Sequence, residues 1–186
     1  MAIDTDLTGS FHQEDLILQT ARGLAAEVGL TPVSEATGAL LALLAAASPA
    51  KSVVEIGTGT GVSGLWLLRG MRSDGVLTTI DIEGEYQRMA RRLFTEAGFP
   101  SARTRIITGR ALEVLPRLSD GIYDLIFIDG DRAEGESYVE AAGRLLRKGG
   151  LVILRGTHGA TSIRDSGLWA PAVIPSGDGL VAAIRL

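Results

Sequence analysis

The chain has 186 residues, of which 46% are hydrophobic and 22% are charged, and its formal net charge is −4. This length and composition predict one globular domain, residues 1–186, with a sizeable core. No basic excess is present to bind nucleic acid, and no apolar run approaches the roughly 18 residues of a membrane span. The chain contains no cysteine, which excludes disulfides, thiolate zinc sites and cysteine nucleophiles. We therefore expect a soluble, cytoplasmic protein without nucleic-acid or membrane partners.

Two helical patterns precede a regular alternation of strands and helices. The first covers about Asp15–Val28 and the second Glu35–Ala47, within an N-terminal region 12–48. The region 51–155 then predicts strands at Ser52–Ile56, Val76–Ile80, Thr104–Thr108, Asp124–Ile128 and Leu151–Leu154. Helical patterns follow the first four of these strands. Such alternation is typical of a mostly parallel sheet with helices on both faces.

The C-terminal region 170–186 carries a different pattern. Two apolar runs, Pro171–Pro175 and Leu180–Ile184, flank the turn sequence Ser-Gly-Asp-Gly. This arrangement predicts a β-hairpin at the end of the sheet. The fold class is therefore α/β: a Rossmann-like, doubly wound, mostly parallel seven-stranded sheet with a C-terminal antiparallel hairpin.

A glycine-rich loop joins the first strand to a helix, in the sequence VVEIGTGTGVSG of residues 53–64. Glycine is needed where the backbone turns sharply and approaches a ligand, and the helix N-terminus that follows can hold negative charge. Glu55 lies inside the otherwise apolar strand, where a carboxylate costs free energy unless something binds it. We expect the binding partner of Glu55 to be a cofactor with hydroxyl groups and positive charge.

The same loop also contains the pattern G-x-G-x-x-G, which keeps a dinucleotide site open as an alternative. The pattern falls on Gly59, Gly61 and Gly64, but the dinucleotide fingerprint has its first glycine directly after the strand. Gly57 holds that position here, and the third glycine would then fall on Val62. The match is out of frame.

Three predicted strands end in or near an acid, namely Glu55, Asp81 and Asp129. Ligands of doubly wound sheets bind beyond the carboxyl ends of the strands, so these acids are expected at one edge. Asp81 follows Gly61 by twenty residues, a position from which an acid can accept both ribose hydroxyls of an adenosine. Helix N-capping remains the alternative for Asp81 and Asp129.

Together these motifs resemble a class I S-adenosylmethionine-dependent methyltransferase, within the O-methyltransferase family that includes catechol and caffeoyl-CoA methyltransferases. The resemblance covers residues 14–154 and 172–186, and its markers are Val54–Ser63, Thr79–Glu83, Phe127–Arg132 and Leu145–Gly150. It implies S-adenosylmethionine as cofactor, an oxygen of a small-molecule acceptor as the methyl recipient, and a homodimer.

The resemblance also implies a set of cofactor-binding residues. Asp81 would accept the ribose hydroxyls, Ile82 would lie against the adenine, and Ser63 would hydrogen-bond the methionine carboxylate. Arg110 stands where the family has aspartate, and Val33 would cover the cofactor. The full set is Val33, Glu55, Gly57, Thr58, Gly59, Gly61, Ser63, Asp81, Ile82, Arg110, Ala111 and Asp129.

Two departures from the family concern catalysis. Arg155 and Gly156 occupy the positions of the family's Asp-Asn metal ligands, and Asp129 alone beside an arginine makes a poor Mg²⁺ site. We therefore predict no catalytic metal, with Asp129 or His158 as the catalytic candidates and Arg155 available to orient an anionic acceptor. A solvated loop histidine is the alternative for His158.

The second departure is a short connection before the hairpin. Residues 156–170 number about fifteen, and we expect them to lack the helix that the family has there. Two further functions stay open, a non-catalytic S-adenosylmethionine-binding domain and an NAD-dependent oxidoreductase.

Overall fold

The computed structural model describes residues 13–186, and residue 12, where the predicted N-terminal helical region begins, lies outside them. The helices are α1 (Leu16–Glu27), α2 (Glu35–Ala47), α3 (Val62–Gly70), α4 (Gly84–Glu96), α5 (Ala111–Val114), α6 (Gly135–Leu145) and α7 (Ala160–Asp165). The strands are β1 (Ser52–Ile56), β2 (Val76–Asp81), β3 (Thr104–Thr108), β4 (Tyr123–Ile128), β5 (Leu146–Arg155), β6 (Trp169–Ile174) and β7 (Leu180–Arg185).

All seven strands form one sheet in the order β3-β2-β1-β4-β5-β7-β6. The first five strands are parallel, and β7 runs antiparallel to both β5 and β6. The predicted doubly wound sheet with its C-terminal hairpin is thereby confirmed. Strands β1 to β3 are added towards one edge of the sheet, and β4 and β5 are added towards the other. The order therefore reverses between β1 and β4, which are parallel neighbours although two strands separate them in sequence.

Each face of the sheet has its own apolar core, because the side chains of a strand alternate between its two faces. Val53 of β1 belongs to the core under α1–α4, whereas Val54 belongs to the core under α5–α7. Both are fully buried. Burial on both faces explains why the parallel strands appear in the sequence as continuous apolar runs.

Two elements differ from the sequence-based expectation. The fifth strand begins at Leu146 and not at Leu151, because Leu146 already pairs with Tyr123 of β4 and the chain passes Gly149 in a left-handed conformation (φ 74°). The expectation that residues 156–170 lack a helix is wrong, since α7 lies there and buries Ile163 completely.

Within residues 13–186, no helix combines the length and the apolarity that crossing a lipid bilayer requires.

Candidate active site

A cavity of about 370 Å³ lies at the carboxyl ends of β1, β2 and β4. This is the edge where ligands of doubly wound sheets bind, beside the point where the strand order reverses. Its volume falls within the roughly 300–1,000 Å³ of small-molecule sites. The wall includes Val33, Gly57, Thr58, Gly59, Ser63, Asp81, Ile82, Tyr86, Arg110, Ala111, Asp129, Glu134, Tyr138 and Arg155.

The glycine-rich loop forms the floor of this cavity. Gly57 has a left-handed backbone (φ 95°), and a Cβ at that position would overlap the backbone carbonyl oxygen of Asp129. The amide of Asp129 donates to the carbonyl oxygen of Ile56 at 2.8 Å. Close approach of the two strand ends therefore requires glycine at position 57.

Asp81 fixes the loop from the neighbouring strand. Its Oδ2 accepts hydrogen bonds from the amides of Thr58 and Gly59, both at 2.9 Å, and its Oδ1 accepts one from the amide of Glu83 at 3.0 Å. Helix α4 has Glu83 as its N-cap residue, without a side-chain capping bond. Asp81 thus organises the loop while its side chain also borders the cavity.

Glu55 lies behind the loop and not in the cavity wall. It is completely buried, and its two carboxyl oxygens accept hydrogen bonds from Ser63 Oγ and Thr79 Oγ1, both at 2.6 Å. Burial raises the pKa of Glu55 from 4.5 to about 8, although these two hydrogen bonds act in the opposite direction. The partner that the buried carboxyl group needs is supplied by two hydroxyls of the chain, and not by a cofactor as the sequence suggested.

The structure brings most of the other predicted cofactor residues to the cavity. Val33, Thr58, Gly59, Ile82 and Ala111 line it as expected, as do Gly57, Ser63, Asp81, Arg110 and Asp129. Gly61 is absent from the wall and serves as the left-handed N-cap of α3 (φ 95°). His158 is exposed and is not part of the wall, so the structure does not bring this catalytic candidate to the site.

Arg155 occupies the centre of a polar junction at the cavity edge. Its Nη1 donates to Asp129 Oδ2 at 3.1 Å and to the carbonyl oxygen of Thr31 at 2.9 Å. Its Nη2 donates to Asp178 Oδ1 at 2.9 Å and to the carbonyl oxygen of Pro32 at 3.3 Å. These four bonds occupy the terminal nitrogens of the guanidinium, which leaves little donor capacity for the anionic acceptor considered from the sequence.

The charged groups at this junction shift the pKa values of its two carboxyl groups. Burial raises the pKa of Asp129 above its usual value, although the positive charge of Arg155 opposes that rise. Burial opposes ionisation of Asp178 as well, but its hydrogen bonds with Ser34 and the charge of Arg155 hold its pKa below the usual range. Arg155 is thus shared by two carboxyl groups.

The residues here do not fit a divalent cation. Mg²⁺ requires several oxygen ligands in near-octahedral geometry. The carboxylate at the end of β4, that of Asp129, is instead ion-paired with Arg155. Gly156 has no side chain to contribute. Among residues 13–186, no group of three or more His, Cys, Asp or Glu side chains is arranged to hold a metal ion.

Sequence reasoning missed several residues of the site. Tyr86, Glu134 and Tyr138 line the cavity, and Glu134 accepts hydrogen bonds from Arg110 Nη2 and Tyr138 Oη, both at 2.5 Å. Tyr86 and Tyr138 have helical apolar spacing, which predicts core positions and gives no sign of a cavity. Asp178 lies in a turn whose composition predicted only the hairpin.

Comparisons with known proteins identify one family of relatives. The model of a family described as O-methyltransferase matches residues 7–185. A relative from Mycobacterium tuberculosis strain H37Rv, named as an O-methyltransferase, is 50% identical over 192 aligned positions, which cover 92% of this chain and 86% of the relative. A relative from Mycobacterium marinum, also named as an O-methyltransferase, is 49% identical over the same coverage.

Among solved structures, the O-methyltransferase TomG from Streptomyces achromogenes, determined in complex with S-adenosylmethionine, superposes with a TM-score of 0.90. It is 26% identical in sequence, and the match covers 98% of this chain and 95% of TomG.

Proposed function

The chain belongs to the O-methyltransferase family and uses S-adenosylmethionine as methyl donor, and from that premise we propose that it methylates an oxygen of a small-molecule acceptor without a divalent cation. Family membership decides against the NAD-dependent oxidoreductase that the glycine pattern left open. The chain is an enzyme, and not the non-catalytic cofactor-binding domain that was the other alternative. We also propose that residues 1–186 form one methyltransferase domain.

The cavity offers complementary groups to the ribose, the carboxylate and the adenine of the cofactor. Asp81 borders the cavity, and because three backbone amides already donate to its carboxylate, about one lone-pair position is left to accept a ribose hydroxyl. The N-terminal amides of α3 provide a site for the carboxylate, while the Ser63 hydroxyl already donates to Glu55. Ile82 and Ala111 supply apolar surface for the adenine. S-adenosylmethionine, when bound, supplies an activated methyl group on its sulfonium sulfur.

We assign Asp129 as the group that accepts the proton of the acceptor hydroxyl. It borders the cavity, and burial raises its pKa, which makes its carboxylate a stronger base near neutral pH. Arg155 opposes protonation of Asp129 but is shared with Asp178. The rest of the rate enhancement then comes from holding the acceptor oxygen in line with the methyl group.

The observation that carries metal independence is the guanidinium of Arg155 on Asp129, at the strand ends where a cation would need ligands. We expect methyl transfer from labelled S-adenosylmethionine to an acceptor, found in a panel of hydroxylated small molecules, to continue in EDTA. The variant Arg155→Asp should not acquire Mg²⁺ dependence, because Gly156 still lacks a ligand. Activity that EDTA abolishes and added Mg²⁺ restores would contradict the proposal.

We further propose that the enzyme is a homodimer that contacts its copy through α1 and α2. Leu16 on α1 and Leu43 on α2 are 76% and 63% exposed, whereas Leu18 and Leu41 of the same helices are fully buried. Core packing therefore does not account for the two exposed leucines. The cytoplasmic location and the absence of a nucleic-acid partner stay predictions.

A further inference from the structure

We propose that Arg155 is a positioning residue that clasps the segment Leu30–Ser34 over the cofactor cavity. We call this segment, which connects α1 to α2, the cover segment. The inference rests on the proposed placement of the cofactor in this cavity. It gives the arginine a role that differs from both metal replacement and acceptor binding.

The cover segment forms one side of the cavity without belonging to a helix or a strand. Its residues Leu30 to Val33 line the cavity, and no regular structure is assigned to them. The Leu30 amide still donates to Ala25 of α1, and the Ser34 carbonyl oxygen accepts from Gly38 of α2. The carbonyl groups of residues 31–33 have no such helical partners and need hydrogen bonds from elsewhere.

Two guanidinium groups supply those bonds. Arg155 donates to the carbonyl oxygens of Thr31 and Pro32, and Arg22 Nη1 donates to that of Val33 at 2.7 Å. Three consecutive carbonyl groups of the cover segment are thus held by side chains. Of the two arginines, only Arg155 also contacts Asp129, the acid at the end of β4.

Asp178, in the turn between β6 and β7, secures the other end of the cover segment. Its Oδ2 accepts from the amide of Ser34 at 2.8 Å and from the hydroxyl of Ser34 at 2.6 Å. Its Oδ1 accepts from Arg155. Arg155 therefore joins the ends of two strands, the hairpin turn and the cover segment at one point.

This junction is shielded enough for its bonds to be strong. The side chains of Arg155 and Asp178 are 16% and 10% exposed, and ion pairs excluded from water are screened less by salt than exposed ones. Charge-assisted hydrogen bonds are also stronger than neutral ones. Loss of the clasp should release the cover segment while the sheet beneath it stays intact.

Calorimetric titration with S-adenosylhomocysteine tests the role on folded variants. We expect Arg155→Gln to weaken binding about tenfold and Asp178→Asn to weaken it several-fold. Because both act through one junction, the double variant should bind no more than about twofold more weakly than Arg155→Gln. Arg155→Lys keeps the charge but not the planar fork, and its affinity should lie between the parent and Arg155→Gln.

The matched control is Arg147→Gln. Arg147 pairs with Asp124 across the same two strands, β5 and β4, at their opposite ends. We expect its S-adenosylhomocysteine affinity to stay within twofold of the parent. An equal loss in Arg147→Gln and Arg155→Gln would overturn the clasp, as would unchanged affinity in folded Arg155→Gln or fully additive effects in the double variant.

Hydrogen exchange provides a readout that does not depend on activity or metal. In the ligand-free protein, the Ser34 amide should exchange faster in Arg155→Gln and Asp178→Asn, while the β4 amides keep their parental rates. An unchanged Ser34 rate would overturn the clasp. A parent in which S-adenosylhomocysteine fails to slow exchange in the glycine-rich loop would instead refute the proposed cofactor placement.

Discussion

At the scale of single residues, Glu55 is the clearest case of a side chain whose environment determines its protonation. Its raised pKa means that the folded protein keeps a proton at pH values where the unfolded chain has lost it. Between the ordinary value of 4.5 and about 8, unfolding therefore releases this proton. The contribution of Glu55 then makes the free energy of unfolding fall as pH rises through that window, and it levels off above about pH 8.

The variant Glu55→Gln keeps the shape of the side chain and removes the titration. We expect its free energy of unfolding, relative to the parent, to increase by about 2–4 kcal/mol from pH 5 to pH 8, since each pH unit is worth about 1.4 kcal/mol per proton. Urea denaturation of both proteins across this range measures the difference. Parallel stability curves would show that Glu55 is ionised in the fold at neutral pH.

The sequence identified Glu55 as unusual but assigned it the wrong partner. An acid within an apolar strand can be recognised in the sequence, whereas the hydroxyls of Ser63 and Thr79 approach it only after α3 and β2 have packed. The acids Asp81 and Asp129 could be predicted because each follows a strand, and parallel strands end at one edge. Asp178 could not, because only the folded hairpin brings it to Arg155.

At the scale of elements, the strand-to-helix turn after β1 depends on Gly57. A side chain there meets two penalties, a left-handed backbone and overlap with the Asp129 carbonyl. Gly98, at the end of α4, also has a left-handed backbone (φ 84°), but open space surrounds the position of its Cβ. Substitutions at Gly98 and Gly57 therefore separate the free-energy cost of a left-handed backbone from the cost of steric overlap.

We expect Gly98→Ala to cost about 1–2 kcal/mol of stability, the usual penalty of a left-handed conformation. Gly57→Ala should cost about 1–3 kcal/mol more, because the added methyl group also overlaps the Asp129 carbonyl. It should also weaken S-adenosylhomocysteine binding because the loop and Asp129 must move apart. Chemical denaturation and calorimetry measure the two effects. Equal stability losses in the two variants would mean that the close approach at Gly57 relaxes without cost.

The boundaries of the elements were predicted well where the local signals are strong. The limits of β1 and β3 match the prediction, since short β-branched or apolar runs end there at glycine or polar residues. The start of β5 and the short helix α7 were missed. Both lack the apolar periodicity that a sequence-based prediction uses, and both are stabilised by contacts with distant segments, such as the pairing of Leu146 with Tyr123.

At the scale of the whole molecule, the exposed leucines of α1 and α2 bear on assembly. We expect light scattering at micromolar concentration to give the mass of two chains, and Leu43→Arg to shift it towards one chain because a charge there would have to be desolvated on association. Val173→Arg is the matched control, since Val173 is 78% exposed on β6, away from the proposed contact. A monomeric parent would refute the homodimer.

The hydrogen bonds between Ser34 and Asp178 span 144 residues of sequence, which affects when the enzyme can first retain its cofactor during synthesis. A ribosome makes the glycine-rich loop and Asp81 of β2 well before Asp178, the residue that secures the cover segment. The nascent chain can therefore assemble the floor of the cavity well before its entrance is secured. On the proposed clasp, tight retention of the cofactor begins only after the hairpin turn that carries Asp178 has been synthesised and has folded onto the cover segment.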